Sequence, residues 1–392
     1  MKIMSINAGS SSLKFKLFDM DTNEVMVSGL FERIGTDGSC YTIKNKEFKI
    51  QEDAEMEDHS EAVKILLDKL IELKIISSYE EIDGVGHRIV QGADRYDKSV
   101  VITDKVLNDI IELSDLAPLH NPAHVIGIKA FKKILPNTPM VAVFDTAFHQ
   151  TMTKERFLYA VPYEWYEKDG VRKYGAHGTS HKYISKKIAE ELGRDDLKVI
   201  SCHLGQGASI CAIDSGKCVD TSMGFTPLAG VVMGTRSGDI DVSMVPYVME
   251  KEGLSAGEVV NALNKKSGFL GVSGVSSDSR DIEDGIKEGN ERCKLAEDLF
   301  VNSVVKYIAQ YYVELGGCDV ITFTAGIGEN SAATRAEILN KLDVLGVKVD
   351  NKANDVRGEL RKISAEDSSI LSYLVPTDEE LMIAMDTKDL IK

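Results

Sequence analysis

The sequence predicts an α/β protein made of two related domains, and three observations carry that prediction. The first is the stretch Val199 to Asp241, where an apolar run (Val199-Ile200-Ser201-Cys202) breaks at His203-Leu204-Gly205-Gln206-Gly207-Ala208-Ser209, resumes as Ile210-Cys211-Ala212-Ile213 and turns at Asp214-Ser215-Gly216-Lys217. This is a β-hairpin with a tight glycine turn. Second, the chain does the same at its start: strand Ile3-Met4-Ser5-Ile6, turn Asn7-Ala8-Gly9-Ser10-Ser11-Ser12, alternating strand Leu13 to Phe18, then Val25-Met26-Val27. Aligning Gly9 with Gly205 superposes Asn7 on His203 and Ser10 on Gln206. A pattern that recurs in this way signals an internal duplication. Third, two continuous apolar runs read as buried strands that end in loops leading to helices: Met140 to Phe144 runs into Asp145, and Asp319 to Phe323 runs into Thr324-Ala325-Gly326-Ile327-Gly328-Glu329-Asn330-Ser331. In open α/β sheets, ligands gather at such carboxyl ends.

The elements follow in order. After the first hairpin, Ser39 to Gln51 reads as further strand, and Asp58 to Leu73 carries a helical stripe of Ala62, Ile65, Leu66, the Lys69 stem, Leu70 and Leu73. Gly84 to Val90 is a short strand delivering Arg88 into the glycine-rich, charged loop Gln91 to Lys98. Thr103 caps a helix through Leu113, and Asn121-Pro122 caps another through Leu135, with proline at its favoured first position. Tyr174 to His181 precedes a helix to Leu192, with Thr179 or Ser180 as cap and His177 just before a helix amino terminus, a place suited to anions. Ser255 to Asn264 and Glu291 to Leu315 are helical, Leu371 to Val375 is a strand, and Pro376-Thr377-Asp378-Glu379-Glu380 opens a closing helix. The weakest order is expected in the charged segments 350–367 and 51–58.

Composition narrows the function. A length of 392 residues suits about two domains. A net charge of −16, from 62 acidic against 46 basic residues, argues against nucleic acid and anionic membranes as partners. No continuous apolar segment follows Lys2 and no run approaches a membrane span, so neither a signal peptide nor a transmembrane helix is expected and the cytoplasm is the expected compartment. The six cysteines have no CxxC spacing and read as free thiols. His120/His124 and His177/His181 are spaced i, i+4, but neither pair forms H-E-x-x-H and Pro122 interrupts the first, so structural or substrate-contact histidines are favoured over zinc.

Glycine turns with bare amides make anion nests. Met233-Gly234-Thr235-Arg236-Ser237-Gly238-Asp239-Ile240-Asp241 sets one arginine and two aspartates among small residues, a composition suited to phosphate and Mg2+ and poor for a core. The turn at Gly326 to Asn330 matches neither a Walker A motif nor G-x-G-x-x-G, which argues against a P-loop or Rossmann protein.

Taken together, Asn7 to Lys14, Gly86-His87-Arg88, Phe144 to His149, His177-Gly178-Thr179-Ser180-His181, His203-Leu204-Gly205, Met233 to Asp241 and Gly326 to Asn330 resemble the acetate kinase family across the whole chain in order. The resemblance implies the superfamily of actin, sugar kinases and Hsp70-like ATPases: two duplicated actin/hexokinase-like (ribonuclease H-like) α/β domains around a nucleotide cleft. It implies an acyl and phosphate domain of residues 1–147 joined by the carboxyl-terminal helix 377–392, a nucleotide-binding domain of residues 148–376, and a homodimer. By position it places Asn7 and Glu379 near Mg2+, with Mn2+ as the alternative ion, and Lys14 near the nucleotide phosphates. Arg88 would hold the substrate carboxylate, with Asp145, His177 and Arg236 around the transferring phosphoryl group. Nucleotide contacts would come from His203, Leu204, Gly205, Gln206 and Gly207, from Asp278, Ser279 and Arg280, and from Gly326, Ile327, Gly328, Glu329 and Asn330. The acyl methyl would sit among Val90, Leu119, Ala176 and Pro227. Two residues depart from the family pattern: Gln206 stands where asparagine is usual, and Ala176 where many members carry phenylalanine.

The implied reaction is reversible transfer of the ATP γ-phosphoryl group to acetate, giving acetyl phosphate and ADP, with positioning and charge neutralisation supplying the catalysis. Acetate is already ionised at neutral pH, so Asp145 is expected to position groups or support the metal rather than accept a proton. A propionate or butyrate kinase is the nearest rival. A nucleotide-dependent assembly protein is the rival of another class, and against it stand Arg88 and Arg236, two cations with no expected internal partner.

Overall fold

The two hairpin turns organise two sheets. In the computed structural model, which describes residues 1–118 and 120–392, the chain divides into one unit of Met1–Gln150 with Asp378–Lys392 and a second of Thr151–Thr377. The first unit holds β1 (Lys2–Ala8), β2 (Ser12–Asp19), β3 (Glu24–Glu32), β4 (Cys40–Lys44), β5 (Lys49–Asp53), β6 (Gly84–Ile89), β7 (Val100–Val101) and β8 (Met140–Phe144), in the order β5-β4-β3-β2-β1-β6-β8-β7. The second holds β9 (Lys198–Leu204), β10 (Ala208–Asp214), β11 (Lys217–Thr221), β12 (Val320–Thr324), β13 (Arg361–Lys362) and β14 (Leu371–Leu374), in the order β11-β10-β9-β12-β14-β13.

The duplication is visible in these orders. Three antiparallel strands (β3-β2-β1 and β11-β10-β9) are followed by two strands parallel to the first of each set (β6-β8 and β12-β14). This repeated α/β sheet is the actin/hexokinase-like fold implied by the resemblance. The first hairpins correspond but are one residue out of register: four residues lie between the paired Ala8 and Leu13 and three between the paired Leu204 and Ala208, so Asn7 faces Lys14 whereas His203 faces Ser209. Each turn is closed by its leading glycine, Gly9 N–H donating to Ser12 O at 2.8 Å and Gly205 N–H to Gly207 O at 3.2 Å.

In the first unit the helix His59–Glu72 is capped by the Asp58 carboxylate, which accepts the N–H groups of Ser60 and Glu61. It buries Ala62, Val63, Leu66, Leu67 and Leu70 in one cluster with Met4, Ile6, Phe15 and Phe131. The last helix, Glu379–Ile391, lies against β6 and β1. Its approach depends on glycine: a Cβ at Gly86 would fall on the Thr387 hydroxyl and lie 2.5 Å from Ile383 Cγ2. In the second unit the helix Glu291–Glu314 packs Phe300, Val301, Val304 and Ile308 into a core with Ile200, Ile210 and Phe323.

Several local readings are corrected. Asn121 is the first residue of helix Asn121–Ile134 rather than its cap, because its amide is drawn inward, accepting from Gln91 N and donating to Gln91 O. Helix Gly178–Leu192 starts without a side-chain cap: Thr179 and Ser180 are buried in its first turn, and His177 precedes it with a left-handed φ of 57°. Ser39 to Gln51 is two strands, β4 and β5, rather than one. The segments expected to be weakly ordered carry structure: 51–58 includes the end of β5, and 350–367 holds a short helix, Asn351–Asn354, and β13. Among the described residues no helix is long and apolar enough to cross a membrane.

Candidate active site

In the first unit, β6 and β8 run parallel and side by side, so Arg88 on one reaches Asp145 just beyond the end of the other. Arg88 Nε lies 3.1 Å and Nη2 2.7 Å from Asp145 Oδ2, a two-pronged ion pair on a carboxylate that is 1 % exposed. Arg88 therefore has an internal partner, unlike the cation with no internal need expected from the sequence. The Asp145 carboxylate holds the guanidinium in its charged form, against the opposing effect of burial.

Glu379, in the first turn of the last helix, is near this pair. Burial pushes its carboxyl up to about 7; Arg88 and Lys14 pull it down, and Asp145 and Glu380 push it up. A carboxyl forced towards its neutral form by burial and neighbouring carboxylates is one whose anion a cation would stabilise. Asn7, half-buried near the end of β1, and Glu379 both offer hard oxygen donors, which suit Mg2+ or Mn2+. Lys14, paired across β1 and β2 with Asn7, forms an ion pair with Glu380, and Lys16 adds a second contact to Glu380 at 3.3 Å. Burial raises the Glu380 carboxyl, but the two lysines outweigh it and keep the group below its usual range. Val90 follows β6, and Leu119 lies outside the described residues.

The second unit holds the other expected groups. His177 stacks on His203 with ring centres 4.1 Å apart. His177 Nδ1 is 2.9 Å from Ser209 Oγ, which is also 2.8 Å from His181 Nε2; His181 Nδ1 is in turn 2.9 Å from Ser201 Oγ. His203 Nδ1 meets Ser180 Oγ at 2.8 Å, and Ser180 Oγ meets Thr377 Oγ1 at 2.8 Å. The i, i+4 histidines 177 and 181 thus share a serine hydroxyl.

Gly207 is where the groups converge. A Cβ there would lie 3.3 Å from Arg236 Nη1 and 3.4 Å from His177 Nε2, so the bare turn leaves room between the guanidinium and the imidazole. Arg236 Nη1 donates to Pro227 O at 3.1 Å and touches Met233 Sδ at 3.5 Å. Among the described residues no carboxylate pairs with it, and burial makes its charge less favourable. A guanidinium held in this way is complementary to an anion. Ala176 is buried in the core of this unit.

Beside the turn is a cavity of about 450 Å³. It brings together Gly205, Gln206, Asp278, Ser279, Arg280, Gly326, Ile327 and Asn330, all expected at the nucleotide. Gln206 lies over Gly234, where a Cβ would come within 2.7 Å of its Nε2, and donates to Ser277 Oγ at 3.1 Å. Asp278 accepts from Arg280 Nε at 3.0 Å, which holds its carboxyl at about 2. Leu204 and Gly328 are buried behind the cavity wall, and Glu329 braces the turn by accepting from Ala325 N at 2.9 Å and Thr377 N at 3.0 Å. Ala325 has φ 66°, a left-handed conformation that alanine rarely adopts and that this brace sustains.

Sequence reasoning missed Glu283, Ser331 and Arg357 in the cavity wall, and Lys16 and Glu380 in the first unit. Ser331 was legible only as the cap of helix Ala332–Lys341, which it is, accepting from Thr334 N. Its hydroxyl also donates to Glu283 Oε1 at 2.6 Å. Arg357 lies in a charged segment with no motif, and no local signal marks it.

Comparison with known proteins identifies the family. The acetokinase family model matches residues 2–385. The chain is 56% identical over 393 residues to the acetate kinase of Bacillus subtilis (strain 168), covering 100% of each chain. Among solved structures it is similar to Porphyromonas gingivalis acetate kinase (TM-score 0.96, 45% identity, 100% of both chains) and to a propionate kinase from Francisella tularensis subsp. tularensis SCHU S4 (TM-score 0.94, 43% identity, 99% of each). With the family model matching residues 2–385 and curated relatives matched along their full length, this chain belongs to the acetokinase family.

Proposed function

We propose that this chain is an acetate kinase, which reversibly transfers the γ-phosphoryl group of ATP to acetate, giving acetyl phosphate and ADP. The observation that carries this reading is Arg236: a largely buried guanidinium with no carboxylate partner among the described residues, facing His177 across Gly207 and beside a cavity of nucleotide size. Such a group is complementary to charge that arrives with the substrate and spreads over the phosphoryl oxygens in the transition state.

The roles follow from the chemistry. The cavity residues and the Gly205–Gly207 turn take the nucleotide, and His177 and Arg236 donate to the transferring phosphoryl group. Arg88 takes the acetate carboxylate while Asp145 fixes the plane of its guanidinium. Acetate arrives as the nucleophile, so no general base is required. Asn7 and Glu379 hold Mg2+, or Mn2+ in its place, which would neutralise phosphate charge. The acyl wall includes Val90, Leu119, Ala176 and Pro227. We also assign a cytoplasmic location, consistent with free cysteines, and a homodimer, for which exposed Val242, Met244 and Tyr247 offer apolar surface.

Trapping acetyl phosphate as its hydroxamate, with ATP, acetate and Mg2+ supplied, tests the activity. Hydroxamate should form in proportion to enzyme and require all three. ATP hydrolysis independent of acetate, without hydroxamate, would refute the assignment.

A further inference from the structure

We propose that Ser201, His181 and Ser209 form a directional hydrogen-bond relay that sets the tautomer of His177, making them positioning residues for phosphoryl transfer; this rests on the placement of His177 at the phosphoryl group.

The relay is a chain of three short contacts: Ser201 Oγ to His181 Nδ1 at 2.9 Å, His181 Nε2 to Ser209 Oγ at 2.8 Å, and Ser209 Oγ to His177 Nδ1 at 2.9 Å. Ser201, His181 and Ser209 are each 0 % exposed. With neutral rings, four mobile hydrogens serve three hydrogen bonds and one is left over; an arrangement in which both rings donate to Ser209 would leave the Ser209 hydroxyl hydrogen buried with no acceptor among the described residues, and otherwise the bonds run in either of two directions.

The far end decides between them. If His177 Nδ1 donates to Ser209, then Ser209 donates to His181 Nε2 and His181 Nδ1 donates to Ser201, leaving the Ser201 hydroxyl hydrogen over. Among the described residues Ser201 Oγ has no hydrogen-bond partner other than His181 Nδ1, so that hydrogen would be buried with no acceptor. In the opposite direction Ser201 donates to His181 Nδ1, His181 Nε2 donates to Ser209, and Ser209 donates to His177 Nδ1. Every group in the chain is then satisfied and the remaining hydrogen resides on His177 Nε2. That is the atom 3.4 Å from the vacant Cβ position of Gly207, across from Arg236. The relay thus makes His177 present an N–H, a donor suited to a phosphoryl oxygen, and not a lone pair that would repel it. A hydroxyl on β9, remote from substrate, biases the polarity of an atom at the reaction centre.

The test uses the intact enzyme labelled with 15N-histidine and the variants Ser209→Ala and Ser201→Ala, each lacking one oxygen, with Ser209→Thr as the hydroxyl-retaining control. Imidazole 15N shifts of His177, assigned by its absence in His177→Ala, should show the Nε2–H tautomer in the wild type above the titration of the ring. They should move towards the Nδ1–H form or a mixture in both alanine variants. kcat should fall by about 10- to 100-fold in Ser209→Ala and less in Ser201→Ala, with KM for ATP and acetate within about twofold, and Ser209→Thr should recover most of the loss. An Nδ1–H tautomer in the wild type, or shifts unchanged in both alanine variants, would overturn the relay. Equal losses in Ser209→Ala and Ser209→Thr, with raised KM, would reduce it to packing. If His177→Ala retains full kcat while the shifts move as stated, the relay stands and the placement of His177 at the phosphoryl group fails.

Discussion

Replacing Arg236 by alanine separates a catalytic cation from a structural one. In the folded protein its guanidinium is largely buried, donates to one carbonyl at 3.1 Å and meets no carboxylate among the described residues. A structural arginine in that setting would normally be paired, since an uncompensated buried charge costs stability. Arg236→Ala should therefore leave the melting temperature unchanged or raise it, because the residue contributes little to the fold beyond one hydrogen bond. Its contribution arises when phosphate arrives. A cation aimed at the transferring group supplies about 10³-fold or more in rate, equivalent to about 4 kcal/mol of transition-state stabilisation. Steady-state kinetics in the acetyl-phosphate-forming direction, paired with thermal melts, measure both quantities. The expected result is a kcat fall of that order with a melting temperature no lower than wild type. A loss below about tenfold in kcat with a large rise in acetate KM would show that Arg236 binds acceptor only. A melting temperature that falls with the activity would show that the cation has a structural partner after all.

Other expectations follow from the same coordinates. Gly86→Ala forces the last helix off β6, because the new methyl meets Thr387 and Ile383; urea denaturation should report a loss of about 1–3 kcal/mol. Burial pulls His87 down to about 3 and His124 to about 4, below the unfolded value near 6.5, so the unfolded chain binds protons first and stability should decline as pH falls from about 6.5 towards 3. Removing the ring in His87→Leu should flatten that decline in urea melts at pH 7.5 and 5, and an unchanged slope would refute the assignment to His87. Propionate should be used with kcat/KM within about 10-fold of acetate, since one methylene in an apolar pocket discriminates weakly. Ala176→Val should shift that ratio, and an unchanged ratio would remove Ala176 from the acyl wall.

The sequence alone determined the α/β class, the duplication and the two glycine turns that line the cavity, because each rests on short-range signals. Small-residue turns between apolar runs mark Gly9-Ser10-Ser11 and Gly205-Gln206-Gly207, and a strand running into a glycine turn marks Gly326 to Asn330. These glycines announce themselves because backbone conformation and close approach restrict the residue type locally. Partnership is different. That Arg88 is paired with Asp145, 57 positions away, while Arg236 is without a carboxylate could not be read from either motif, since both arginines sit among similar small and acidic residues. Ser180 looked like a helix cap and is instead a link between His203 and Thr377, 197 positions further on. The spacing of His177 and His181 favours structural or substrate-contact histidines, and only the fold shows that they share the hydroxyl of Ser209. Composition fixes which groups are available to bind an anion; only the register of parallel strands and the burial around them decides which charges are already neutralised and which hydroxyl proton points where.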